Sequence, residues 1–381
     1  MIYLDNAATT YPKPDSVYDA VLDCMKNYCA NPGRAGHKLA MRAAREIYDT
    51  RENLAKLFNI DNPMNIVFTS NATDSLNLAI KGSVDKDDHI ITTSMEHNSV
   101  IRPIKALEKS GVENTIVNCD KDGFLNYEEL EKAIRPNTKL IVTTHASNVC
   151  GTLVDIAKVG EIAKKYNILY LVDASQTAGV YDIDVKKVNI DMLAAPGHKC
   201  LFGPQGTGIL YIREGLNIDI LKEGGTGSKS EDLFQPNLVP DRYESGTNNT
   251  PGIAGLNAGI KFIFEKGIEN IRKHEEDLCK YMLNRLEEVP NIIIYGTKNI
   301  KEKAAVIALN IGNMDSGEVT FLLDSEYDIA TRSGIHCSPL AHKTLGTINQ
   351  GVVRFSLGYF NTKEDIDKTI EALKEIASNN L

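Results

Sequence analysis

The sequence predicts an α/β protein: a mostly parallel central sheet with helices on both faces, followed by a smaller α+β part. Short β-rich runs alternate with helical patterns over residues 65–213, the alternation weakens after Gly252, and no repeat or low-complexity linker interrupts the chain. Strands separated by helices pair in one direction through crossovers, which places the helices on the sheet faces. Strands are expected at 65–69, 89–93, 115–118, 140–144, 168–172, 192–194 and 208–212. Helical stretches lie between most of them, for example at 75–81, 127–134 and 157–166, where apolar residues recur at helical spacing. After Gly252 a long helical pattern (255–266, then 268–288) leads into strands at 292–295 and 305–310. Two further β-like segments, 329–332 and 352–356, precede a closing helix at 363–378. This divides the chain into a large part, 15–254, and a small part, 255–381, joined by the N-terminal segment 1–14.

Composition narrows the function classes. The chain has 381 residues, 42% hydrophobic and 24% charged, enough for a large core and too apolar for a disordered chain. A net charge of −9 argues against nucleic acid or an anionic membrane as main partner. No apolar run approaches ~18 residues, and the start Met1-Ile2-Tyr3-Leu4-Asp5-Asn6 lacks a basic stretch followed by an apolar one. Seven scattered cysteines, an odd number without close pairs, suit a reducing cytoplasmic location. Cys24 and Cys29 fall on an amphipathic helical stretch and are expected to pack.

The expected strand ends carry the chemistry. In such sheets ligands bind beyond the carboxyl ends of the strands, where Asn71-Ala72-Thr73, His97, Asn148, Asp173 and Lys199 fall. Pyridoxal phosphate needs a lysine amine for its Schiff base and a carboxylate to keep its ring nitrogen protonated. Lys199, in the loop Ala195-Pro196-Gly197-His198-Lys199, and Asp173, after the apolar run 168–172, supply both. Phosphate calls for backbone N–H groups at a helix start and for hydroxyls, which Asn71-Ala72-Thr73 offers; a Thr73 helix cap is the plainer alternative. His97 suits a ring that stacks on a flat cofactor, and Gln176 can hydrogen-bond its phenolic oxygen. Arg354, in Val352-Val353-Arg354-Phe355-Ser356, is a candidate fork for a substrate carboxylate, or else half of a strand-end ion pair. Cys337 lies in the loop Arg332-Ser333-Gly334-Ile335-His336-Cys337-Ser338-Pro339, where Arg332 and His336 are placed to favour a thiolate.

Three other patterns carry less. Asn118-x-Asp120-x-Asp122-Gly123 with Glu129 imitates a calcium loop, but the segment entering it is β-like where an EF-hand has a helix. Gly224-Gly225-Thr226-Gly227-Ser228-Lys229-Ser230 fails the phosphate-loop pattern, because Glu223 and Ser228 stand where glycine is needed. Gly203-Pro204-Gln205-Gly206-Thr207-Gly208 precedes a strand rather than a helix and is a turn. No metal site is expected.

Together these residues resemble the fold-type I pyridoxal phosphate enzymes of the class V aminotransferase family, and within it the group II (SufS-like) cysteine desulfurases. The resemblance runs from Tyr3-Leu4-Asp5-Asn6-Ala7-Ala8-Thr9-Thr10 through Glu96-His97-Asn98-Ser99, Ser147-Asn148-Val149-Cys150-Gly151-Thr152, Val172-Asp173-Ala174-Ser175-Gln176 and Gly197-His198-Lys199. It continues in Glu244-Ser245-Gly246-Thr247-Asn248 and the short Arg-x-Gly-x-His-Cys loop. It implies Lys199 as Schiff base, Asp173 as pyridinium partner, His97 as stacked ring and Gln176 on the phenolic oxygen. Ala72, Thr73 and His198 would border the phosphate, and Thr247 would reach the phosphate of a neighbouring subunit, hence a homodimer. Asn148, Arg354 and Arg332 would hold the substrate carboxylate, and Cys337 would receive sulfur from L-cysteine as a persulfide, leaving L-alanine and serving a sulfur-acceptor protein. L-selenocysteine lysis, or another class V lyase or aminotransferase reaction, is the alternative. Three positions depart from the pattern: Pro196 and Ala72 remove phosphate-binding hydroxyls, and Ile335 replaces the first histidine of a usual His-His-Cys.

Overall fold

The computed structural model describes residues 1–32 and 36–379. Seven strands form the large sheet, in the spatial order Ile66–Thr69, Gly208–Ile212, Met192–Pro196, Leu169–Asp173, Thr138–Thr144, His89–Thr93 and Glu113–Val117. Gly208–Ile212 runs antiparallel to both neighbours and the other pairings are parallel. The strands are apolar on both faces because both are covered. Successive side chains alternate between the layers: Ile141, Tyr170, Val172, Leu193 and Ala195 enter one core, Leu140, Val142, Leu171, Met192 and Ala194 the other.

A second, four-stranded antiparallel sheet runs Arg332–Gly334, Val352–Ser356, Val306–Ile311, Ile292–Tyr295. Its core of Leu309, Val353 and Phe355 packs on Ile366, Ile370 and Leu373 of the last helix, Lys363–Asn379. The N-terminal segment is stitched to this part. Ile2–Tyr3 pairs with Ile329–Ala330, and Asp5 bridges to Ser356.

Most expected elements are present within a residue or two, and the differences have physical reasons. The expected strand 329–332 is two strands, Ile329–Ala330 against the N-terminus and Arg332–Gly334 in the four-stranded sheet. The expected strand 115–118 begins at Glu113, where it pairs with His89. Cys24 is buried in the helix Asp15–Asn27, whereas Cys29 lies beyond it and is exposed, so only Cys24 packs. The helix Thr250–Lys266 starts before the expected 255, with Asn249 capping Gly252 N. It buries Ile253, Leu256, Ile260 and Ile263 in the core of the large sheet. The calcium-like segment follows a strand, and Asp120 Oδ1 accepts from Asp122 N and Phe124 N, both at 2.9 Å, which makes it a turn. Among the described residues no helix is long and apolar enough to cross a membrane.

Candidate active site

A cleft of about 230 Å³ opens at the carboxyl ends of the central strands, where a ligand site in such a sheet belongs. Its lining brings together Ala72, Thr73, His97, Asp173, Gln176 and His198 with Lys199. Asn148, Arg332 and Arg354 line it as well. Cys337 and Thr247 are absent from the lining.

Asp173 closes its strand with the side chain 3% exposed. Its Oδ1 accepts from Ser175 N at 3.0 Å and from the Ser175 hydroxyl, an Asx turn, and Oδ2 has no hydrogen bond to a described residue. That leaves one carboxylate oxygen in the cleft for a charged donor. Lys199 sits in a loop made possible by Gly197, where a Cβ would stand 2.1 Å from Thr207 Oγ1. Part of the Lys199 surface remains accessible in the cleft. Burial pushes its pKa down to about 8; Asp173 pulls it up, and Arg354 and Arg332 push it down further. An amine so placed is substantially neutral near pH 8, the condition for a nucleophile or proton acceptor.

His97 caps the helix Asn98–Leu107, its Nδ1 accepting from Ser99 N at 3.1 Å and lying 2.9 Å from Ser99 Oγ. A ring nitrogen that accepts from a backbone N–H carries no proton, so the proton is on Nε2. Burial, opposed by Asp173 and reinforced by Lys199, lowers its pKa to about 4. His97 is therefore a neutral flat ring, as stacking requires. Thr73 Oγ1 lies 2.8 Å from the same Ser99 hydroxyl. The helix Ala72–Gly82 is capped by Asn71, whose side chain accepts from Asp74 N at 2.9 Å, so Thr73 is not the cap. The first-turn amides of Ala72 and Thr73 have no partner within the helix, which suits an anion. His198 Nδ1 lies 3.1 Å from Thr9 Oγ1, and burial, with Lys199 and Lys13 nearby, lowers its pKa to about 4. Gln176 Nε2 donates to Ala7 O at 3.2 Å.

Arg354 is 1% exposed; it donates through Nη2 to Asp5 Oδ1 at 2.6 Å and through Nη1 to Asn148 O at 3.0 Å. Both alternatives raised by the sequence thus meet in one residue, which is ion-paired and also lines the cleft. Arg332, by contrast, has a guanidinium with no hydrogen bond or ion pair to any described residue. His336 corrects an expectation. Burial, with Arg354 beside it, lowers its pKa to about 3, and its Nε2 donates to Arg332 O at 3.1 Å. A neutral imidazole brings no positive charge to Cys337. Cys337 itself is exposed, and it follows His336 in the left-handed region, φ +57° after +52°. Each such non-glycine residue costs roughly 1–2 kcal/mol, so other contacts must hold the turn.

Thr247 is exposed and lines a separate cleft with Thr69, Ser70 and Glu244. Its segment is tied down by a buried ion pair. Glu244 accepts from Arg51 Nη2 at 2.7 Å and from Phe68 N at 2.6 Å, and holds Asn248 Nδ2 at 3.1 Å. Glu244→Ala is expected to cost about 3–5 kcal/mol, because it strands the Arg51 charge in the core. A denaturation midpoint checks this, with the exposed pair Lys273–Asp277 as a control that should matter little. Sequence reasoning assigned no role to Asp5, Ser99 or Ser338, although all three stood in motifs it named. Ser175, by its Asp-x-Ser spacing, could have been found.

The class-V aminotransferase family model matches residues 2–369. A probable cysteine desulfurase of Methanothermobacter thermautotrophicus is 36% identical, covering 99% of this chain and 94% of that protein. A cysteine desulfurase of Escherichia coli O157:H7 is 33% identical over 99% and 93% of the two chains. The apo structure of a cysteine desulfurase from Thermococcus onnurineus superposes with a TM-score of 0.94 at 33% identity, over 99% of this chain and 95% of that one. With the family pattern spanning nearly its whole length and the fold matching, this chain belongs to the class-V aminotransferase family.

Proposed function

We propose that this protein is a pyridoxal phosphate-dependent cysteine desulfurase that converts L-cysteine to L-alanine and leaves the sulfur on Cys337. The pairing of Asp173, one oxygen unengaged, with the depressed Lys199 amine in one cleft supports the cofactor, and the exposed Cys337 together with the desulfurase relatives supports the sulfur chemistry. The cofactor, when bound, supplies the electron sink that makes the substrate's α-proton removable.

The chain's own residues would do the rest. Lys199 Nζ would anchor the cofactor and would move the α-proton. Asp173 Oδ2 would hold the proton on the ring nitrogen. His97 would cover the ring, and Gln176 would donate to its phenolic oxygen. The first-turn amides, Thr73 and His198 take the phosphate, in a site where Ala72 and Pro196 contribute no hydroxyl. Arg332 and Arg354 orient the substrate carboxylate. The balance is simple: cysteine plus the Cys337 thiol gives alanine plus a Cys337 persulfide. The exposed position of Cys337 suits hand-over to an acceptor protein.

A homodimer would let the exposed Thr247 reach the partner's phosphate. The two-part organisation (large 15–254, small 255–381, segment 1–14 between) would set the cofactor residues on one part and Arg332, Cys337 and Arg354 on the other. Free cysteines throughout suit a cytoplasmic enzyme.

Arg354→Ala is expected to raise KM for cysteine about 30-fold or more, the loss typical of a buried hydrogen-bonded charge pair. The bound-cofactor absorbance should remain. An unchanged KM would confine Arg354 to its ion pair with Asp5. The overall proposal is tested by assaying sulfide and alanine from L-cysteine with the purified, cofactor-loaded protein.

A further inference from the structure

We infer that Asn148 is a positioning residue for the Cys337 turn, a role different from the substrate contact that the family resemblance suggests. The inference rests on the desulfurase reading only for what Cys337 does.

Both ends of the Asn148 side chain are occupied by the cysteine loop. Its Nδ2 donates to His336 O at 2.9 Å, and its Oδ1 accepts from Ser338 Oγ at 2.8 Å. The side chain therefore grips the residues immediately before and after Cys337. Asn148 is 9% exposed and Ser338 is fully buried, so water competes little for these bonds. A third tie comes from the start of the helix after His97, where Asn98 N donates to Cys337 O at 2.7 Å. The two consecutive left-handed residues, His336 and Cys337, are what these ties hold in place.

The other side of the grip is equally fixed. Asn148 O accepts from Arg354, and the following Gly151 has φ +78°, with its Cβ position 2.6 Å from Val306 O. Only glycine lets the segment 147–152 lie this close to the second sheet. The segment thus reaches from the central sheet to the small part, and one side chain on it sets the cysteine turn. The Asn148 oxygen is engaged and its Nδ2 keeps one N–H for a carboxylate, while Arg332 has all of its donors.

Kinetics and hydrogen exchange of the cofactor-loaded enzyme test this. Asn148→Ala is expected to lower kcat for cysteine about tenfold or more with KM within about twofold. Ser338→Ala, outside the cleft lining, should lower kcat in the same way, and the double variant should fall no further than Asn148→Ala alone. Amide exchange at Asn98 and Ser338 should accelerate in both variants.

A large rise in KM for Asn148→Ala, with Ser338→Ala indistinguishable from wild type in kcat and exchange, would overturn the inference and return Asn148 to the substrate. If Asn148→Ala does not fold, Ser338→Ala decides by the same two readouts. The desulfurase reading fails separately: Cys337→Ala at the wild-type rate would sink it, while the exchange rates would still judge the grip.

Discussion

Lys199→Ala is expected to abolish turnover and to remove the visible absorbance of the bound cofactor. The variant loses the covalent anchor and the base that moves the α-proton. Proton transfer by a positioned side chain is worth about 10²–10⁴ in rate by itself, and loss of covalent catalysis adds to it. Nothing in the cleft can replace the amine. His97 and His198 are weak bases, their pKa values lowered by burial to about 4, and His97 Nδ1 is held by Ser99 N–H. Arg332 and Arg354 do not give up protons in this range. Folding should be little disturbed, since Lys199 makes no side-chain hydrogen bond to a described residue. Normal turnover in Lys199→Ala would overturn the cofactor assignment, and retention of the absorbance would show a different anchor.

Cys337→Ala carries the second large effect, and it separates a desulfurase from other members of the family. The thiol is exposed and outside the cleft lining, so cofactor binding and the entry of cysteine should survive its removal. Sulfur release from L-cysteine should fall by about two orders of magnitude or more, as when a covalent nucleophile is lost. Cleavage of L-selenocysteine should fall less, because selenium leaves without nucleophilic attack. Mass spectrometry of the wild type after cysteine treatment should show one added sulfur on the peptide containing Cys337. A wild-type rate in Cys337→Ala, with the sulfur found elsewhere, would refute the mechanism and leave the fold untouched.

Much of the fold was legible because its strands are short apolar runs buried on both faces and its helices have one apolar stripe. Those patterns are local, and physics acts on them locally. Strand order was not legible. The helix-free link 197–207 is a local sign that Gly208–Ile212 turns back on Met192–Pro196, but its other partner, Ile66–Thr69, lies far away in the chain and left no sign. The split of 329–332 into two strands had the same cause, as one half needs the N-terminus to pair with.

The candidate site divides along the same line. Residue type and strand-end position sufficed to nominate Asp173, Lys199, His97 and Thr73, and the cleft contains all four. Their chemistry is carried by their own atoms, so a sequence can display it. Charge state and hydrogen-bond partner are collective properties, and the tertiary structure alone decided them. His336 beside Cys337 promised a positive charge, but burial and Arg354, close in space, make it neutral. Arg354 stood either as a carboxylate fork or as half of an ion pair, and the structure shows Asp5, at the other end of the chain, taking one arm of it. Asn148 gave no hint that it would grip a turn almost two hundred residues later. Desolvation and pairing depend on which distant segments pack around a group, and that is known only once the chain has folded.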